Sequence, residues 1–167
     1  ASPDDDGGSD DDGPGAPETA RLEQANLRGA LQWAVDNHES ELGLRLAVAL
    51  ARFWVSEAPF EGDQWYGALR AGASNLDQGL RADALRDHGG AVYIVGQFDR
   101  GMALYEESLA LYRSLGDELG VAHMLHRLAV DAVRMGDLER GRALTEEARA
   151  MAARLGARRE EALALST

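Results

Sequence analysis

From Pro17 to Thr167, apolar residues recur at spacings of three and four, and no apolar–polar alternation persists long enough to make a strand. The stretch is rich in Ala, Leu, Arg and Glu, all good helix formers, and poor in β-branched residues. The pattern predicts helices over about 17–37, 40–56, 60–74, 77–95, 98–115, 118–135, 138–155 and 158–167, an all-α fold. Pro17 suits a first helical turn, and Ser40 reads as an N-cap.

The helical pattern repeats. Gly96, Gly116, Gly136 and Gly156 fall 20 residues apart, each closing an apolar-periodic segment where glycine takes a left-handed cap cheaply. The 23 residues from Val95 align without a gap to those from Met135, with ten identities that include Arg100/Arg140, Gly101/Gly141, Glu106/Glu146 and Glu107/Glu147. Ala82, Ala122 and Ala162 recur at the same 40-residue step, as do Leu85, Leu125 and Leu165. Glu61-Gly62 marks a degenerate earlier copy of Arg100-Gly101. A 40-residue unit of two helices and two tight turns cannot bury its own apolar face, so neighbouring units must stack into a solenoid. The expected units are 40–76, 77–117, 118–157 and a partial 158–167, preceded by the helix at 17–37. No polar capping helix follows, so the chain is expected to be a fragment of a longer protein.

Residues 1–16 break the pattern. Six Asp and four Gly with no large apolar residue read as a disordered acidic linker or tail. That segment holds six of the charges behind the net −12 of the 167 residues, so the helical body carries only −6. All 17 basic residues are Arg, and Cys is absent. Without Lys there is no phosphate-binding G-x-x-x-x-G-K-[ST] loop and no Schiff base; without Cys there is no thiol nucleophile, disulfide or Cys-ligated zinc. The negative charge disfavours nucleic acid as a partner of this chain. No apolar run is long enough to cross a membrane and no signal-peptide layout opens the chain, so the cytoplasm is the expected compartment.

The sequence (D/E)-R-G-x-A-L-x-E-E-(A/S) followed by a Leu-Gly turn resembles the tetratricopeptide (TPR) superfamily in its longer, roughly 40-residue form, over about residues 20–167. Asn26-Leu27-Arg28, Ala30-Leu31, Trp33-Ala34, Phe53-Trp54, Gly62 and Trp65 also resemble the region where bacterial LuxR-type and maltose-activator-type signal-transduction ATPases open their TPR arrays. The resemblance implies a right-handed superhelical solenoid of antiparallel helix pairs, and a regulatory scaffold binding a protein, a peptide or a small effector. Nucleotide and DNA binding would belong to other domains of such a transcription regulator. A stand-alone peptide-docking adaptor, or the TPR part of a cyclase-type signalling protein, is the alternative.

In that family the first helix of each pair lines a concave groove. Asp83 and Asp87 in one such helix correspond to His123 and Arg127 in the next, and Asp131 and Arg134 continue the face. An Arg there could grip a carboxylate through both its N–H groups; an ordinary solvated face with an Arg127–Asp131 pair is the plainer reading. His123 and His126 share one side of a helix but lack a third ligand, and His88 occupies the repeat position of Leu128, which reads as a packed histidine. Adjacent glutamates such as Glu106 and Glu107 point about 100° apart and cannot flank a scissile bond. No catalytic, cofactor or metal residue is expected. Trp33, Phe53, Trp54, Trp65 and Tyr66 read as a dense core at the start of the array. Tyr105, Leu109 and Tyr112 become Thr145, Arg149 and Ala152 one repeat later, so the earlier helix is expected to be buried on a face that the later one exposes.

Overall fold

A computed structural model describes residues 16–73 and 75–165, with side chains over 23–73 and 75–156. The expected acidic linker, apart from Ala16, and the side chains of the partial unit 158–167 lie outside the described residues. Among those described, the chain is all-α: α1 (Ala16–Asp36), α2 (Ser40–Ala49), α3 (Ala51–Ser56), α4 (Pro59–Ala71), α5 (Gln78–Ile94), α6 (Phe98–Leu115), α7 (Glu118–Arg134) and α8 (Leu138–Leu165).

The turns after α5, α6 and α7 are copies of one another. Gly96, Gly116 and Gly136 take φ of 89°, 69° and 87°. In each, the glycine N–H donates to the carbonyl three residues back, and the next N–H donates five back, as from Asp117 to Tyr112 O at 3.0 Å and Asp137 to Ala132 O at 2.9 Å. After α6 and α7 the following Asp then caps the next helix, with Asp117 Oδ1 accepting from Gly120 N and Asp137 Oδ1 from Arg140 N, whereas after α5 that position is Gln97, which makes no side-chain cap bond. Gly156 does not repeat this turn, because α8 continues through it to Leu165. The sequence after it explains the difference. Ala157, Arg158, Arg159, Glu160 and Glu161 favour helix, and no capping side chain stands where Asp117 and Asp137 stand.

The expected helix over 40–56 is broken at Leu50. Ala47 O, which a continuous helix would pair with Ala51 N, instead accepts from Leu50 N at 3.1 Å, from Trp54 Nε1 at 3.1 Å and from Tyr66 Oη at 2.8 Å. Two buried side-chain donors thus share one carbonyl with a last turn tightened to an i+3 bond. Ser40 is not a cap: Glu39 holds that position without a side-chain bond, and Ser40 is the buried first residue of α2, packed where Gly72 leaves room.

One crossing recurs in every helix pair. A β-carbon on Gly62 would stand 2.7 Å from Trp54 Cβ, one on Gly101 3.1 Å from Tyr93 Cβ, and one on Gly141 2.6 Å from Val133 Cγ2. These glycines open the second helices α4, α6 and α8, and their partners close the first helices α3, α5 and α7. Close backbone approach is therefore the structural content of the Gly62, Gly101 and Gly141 repeat.

Two apolar clusters form the core, one on Leu31, Leu44, Trp54, Tyr66 and Leu69, the other on Tyr105, Leu109, Tyr112, Leu125 and Leu128. Helix α5 feeds both, through Leu80 and Ala84 to the first and Ala82 and Tyr93 to the second, and is buried along most of its length. Trp54 and Tyr66 are buried as expected, but Trp33 is 52% exposed. Leu31 and Ala34 set the inner face of α1, and Trp33 lies about 200° from the first and 100° from the second around the helix. Tyr105, Leu109 and Tyr112 of α6 are buried, whereas Thr145, Arg149 and Ala152 of α8 are exposed, so the two second helices differ as their sequences imply.

Candidate functional site

A groove of about 350 Å³ opens on the side of the first helices. Arg86, Asp87 and Gly90 of α5 form one wall; His123, Met124, His126 and Arg127 of α7 form the other. Tyr105 of α6 lies between them, and Val55 closes one end. Three of the six sequence-chosen residues, Asp87, His123 and Arg127, line this groove together. The walls are repeat-related: Asp83, Arg86 and Asp87 stand 40 residues before His123, His126 and Arg127.

The α5 wall is a closed ion-pair cluster. Arg86 donates through Nε and Nη2 to the two oxygens of Asp87 (2.8 and 3.0 Å), and through Nη1 to Asp83 at 2.7 Å and to Tyr112 Oη at 2.9 Å. Tyr112 in turn donates to Asp83 at 2.6 Å. Burial pushes the Asp87 carboxyl above the ordinary carboxylate range against the opposing pull of Arg86, and burial likewise raises the Tyr112 hydroxyl.

The α7 wall is less complete. The Arg127 guanidinium carbon lies 5.3 Å from the ring centroids of both Tyr93 and Tyr105, within cation–π range. Its Nε donates to Asp131 Oδ2 at a long 3.3 Å. Asp131 is fully buried, and its Oδ1 has no hydrogen-bond partner among the described residues. Tyr105 is pushed up to about 12, chiefly by burial. Arg134 is exposed, two turns further along α7, and does not line the groove. Both arginines of the groove are thus paired with carboxylates of their own helices, Arg86 closely and Arg127 through one long bond.

A second polar cluster sits between α4, α5 and α6. His88 is buried; its Nδ1 accepts from Arg70 Nη1 at 3.1 Å and its Nε2–H donates to Asp63 Oδ1 at 2.9 Å. Arg has no acceptor, so these bonds select one neutral tautomer. Arg100 grips Asp63 with two bonds, and Tyr66 stacks on the His88 ring. Burial lowers His88 below its ordinary value; burial raises Asp63, but its bonds to Arg100 and His88 outweigh this and leave it lowered. This is the packed histidine that the Leu128 correspondence implies.

The paired glutamates tie helices together. Glu107 pairs with Arg81, Glu106 with Arg140 and Glu147 with Arg113, all exposed contacts of small individual worth. Among the described residues no three His, Asp or Glu side chains converge as metal ligands, and no helix is long and apolar enough to cross a membrane. Arg86 and Tyr105 are groove residues that the sequence did not single out, and Tyr93 lies behind them under the Arg127 guanidinium. The available signal was Asp83-x-x-Arg86-Asp87, in which Arg86 sits one turn from one acid and beside the other. Comparison with protein-family models, with curated proteins and with solved structures finds no match to this chain.

Proposed function

We propose that the chain is a TPR-like helical-repeat scaffold that binds a peptide segment of a partner protein in the groove between α5 and α7. On this reading it serves a cytoplasmic transcription regulator of the bacterial signal-transduction ATPase class. The observation that carries the binding part is the pair of repeat-related walls, Arg86 and Asp87 on α5 and His126 and Arg127 on α7, facing one groove with Tyr105 between them. The polar groups on either side fix the orientation of a bound segment. The regulator part rests on the resemblance of the segments around Trp33, Phe53-Trp54 and Trp65. Occupancy of the groove would then bias the packing of the array on a neighbouring domain, a population shift.

Peptides selected by display against the full chain test the first part. Binding to the wild type should weaken at least about tenfold in His126→Asp, which changes the chemistry of the α7 wall, and stay unchanged in the exposed control Arg142→Ala. Equal affinity for His126→Asp contradicts the groove. The coding sequence upstream of residue 1 tests the second part. A phosphate-binding loop there supports the ATPase regulator; its absence favours a free-standing adaptor.

A further inference from the structure

We propose that the corner formed by Tyr93, Tyr105 and Asp131 is a guanidinium receptor occupied by the chain's own Arg127, and that an arginine side chain of a peptide partner displaces it. The proposal deepens the groove reading above and rests on it for the partner being a peptide.

The walls of the corner are fixed independently of Arg127. The Tyr93 ring packs edge-on against Phe98 with centroids 4.9 Å apart, and the Tyr105 ring lies against the bare Cα of Gly89. Both tyrosines are buried, so the aromatic surfaces are preorganised for a cation. The floor is one carboxylate with two oxygens. Arg127, four residues before Asp131 on the same helix, offers its Nε to Oδ2 alone, at 3.3 Å, and leaves Oδ1 unpaired. A guanidinium from another chain is not tied to that helix register. It can present two parallel N–H groups, one to each oxygen, and so satisfy the buried acceptor that Arg127 leaves bare. An ammonium, a point charge, lacks this match.

Charge agrees. Against the cations Arg86 and Arg127 stand the carboxylates Asp83, Asp87 and Asp131, one negative charge in excess. The Arg127 side chain is itself 39% exposed at the groove, so its departure leads directly into solvent. The incoming arginine competes with Arg127, and the apparent affinity of the wild type is reduced by the fraction of molecules in which Arg127 occupies the corner.

The test uses the full chain and three probes: the N-acetyl amides of arginine, lysine and the neutral isostere citrulline. Arg127→Ala should lower Tm, because it strands Asp131, and the arginine probe should restore Tm and shift the Tyr93 and Tyr105 ring signals in NMR. Its affinity for Arg127→Ala should exceed that for the wild type by about tenfold or more, as expected if the open state is a minor one of about 10% or less. The double variant Arg127→Ala/Asp131→Asn should regain Tm and ignore the probe. Arg127→Met, which keeps the packing of the stem, carries the same expectations if Arg127→Ala does not fold. Equal response to citrulline or lysine, equal affinity in wild type and Arg127→Ala, or a response that survives Asp131→Asn overturns the proposal. These failures, with a selected peptide still bound in the groove, leave the groove reading intact; a probe response without any bound peptide sinks that reading alone.

Discussion

The ring of Tyr105 lies against Gly89 so closely that its Cδ1 and Cε1 atoms stand 2.8 Å from where a β-carbon on Gly89 would be. One repeat later the same two positions hold Ala129 and Thr145. The chain thus pairs a large second-helix residue with glycine and a small one with alanine. Gly89→Ala should therefore cost about 1–3 kcal/mol, the usual range for overpacking. In a Tyr105→Thr background the same change should cost much less. A double-mutant cycle from denaturant unfolding measures the coupling, and simple additivity would show that the contact is not limiting.

The turn glycines and Gly156 should respond oppositely to alanine. Gly116 needs φ of 69°, with open space around it, so Gly116→Ala should destabilise by about 1–2 kcal/mol through backbone strain alone. Gly156 lies within α8, so Gly156→Ala should stabilise by about 0.5–1 kcal/mol. Thermal melts of the two variants check this; a loss of stability in Gly156→Ala would indicate a turn at that residue.

Acidification should remove two stabilising contributions, while the raised Asp87 carboxyl acts in the opposite sense. His88 and Asp63 both titrate below their ordinary values of 6.5 and 3.8 in the folded chain. Between the folded and unfolded values the unfolded chain binds more protons, so stability falls as pH falls. The His88 contribution is full above about pH 6.5 and lost as pH drops through its lowered folded value; Asp63 does the same below about pH 4. In His88→Leu, the residue found at the equivalent Leu128, the first step should vanish from a plot of Tm against pH. Its persistence would mean that another group produces it.

Tyr112 joins Asp83 and Arg86 across two helices. Tyr112→Phe keeps the packing and removes only the hydroxyl, so it should cost about 1–2 kcal/mol. A cost near zero in urea unfolding would mean that Asp83 and Arg86 repair the loss between themselves.

The elements and their repeat were legible because each is encoded locally. Glycine at a 20-residue step, Asp after it, and Gly101 or Gly141 at the start of a helix each act through a few neighbouring residues. The missing turn at Gly156 is a local exception, and the rest of what was not legible depends on partners far along the chain. The break at Leu50 comes from Trp54 and Tyr66 competing for one carbonyl, the second from 19 residues away. Asp83 and Asp87 could be placed on one face of α5, and His123, Arg127, Asp131 and Arg134 on the corresponding face of α7, from their spacing and the repeat. That Arg127 is held by two tyrosines from α5 and α6, and Arg86 by two aspartates and a tyrosine, follows only from how α5, α6 and α7 pack.

The central claim is that recognition takes place between α5 and α7. Amide and tyrosine-ring chemical-shift mapping of the full chain with a display-selected peptide tests it most directly. The account predicts shifts gathered at Gly90, Tyr105, His123, Met124 and Arg127. Shifts confined to α1–α4, or to the exposed face of α8 around Arg149, would contradict it.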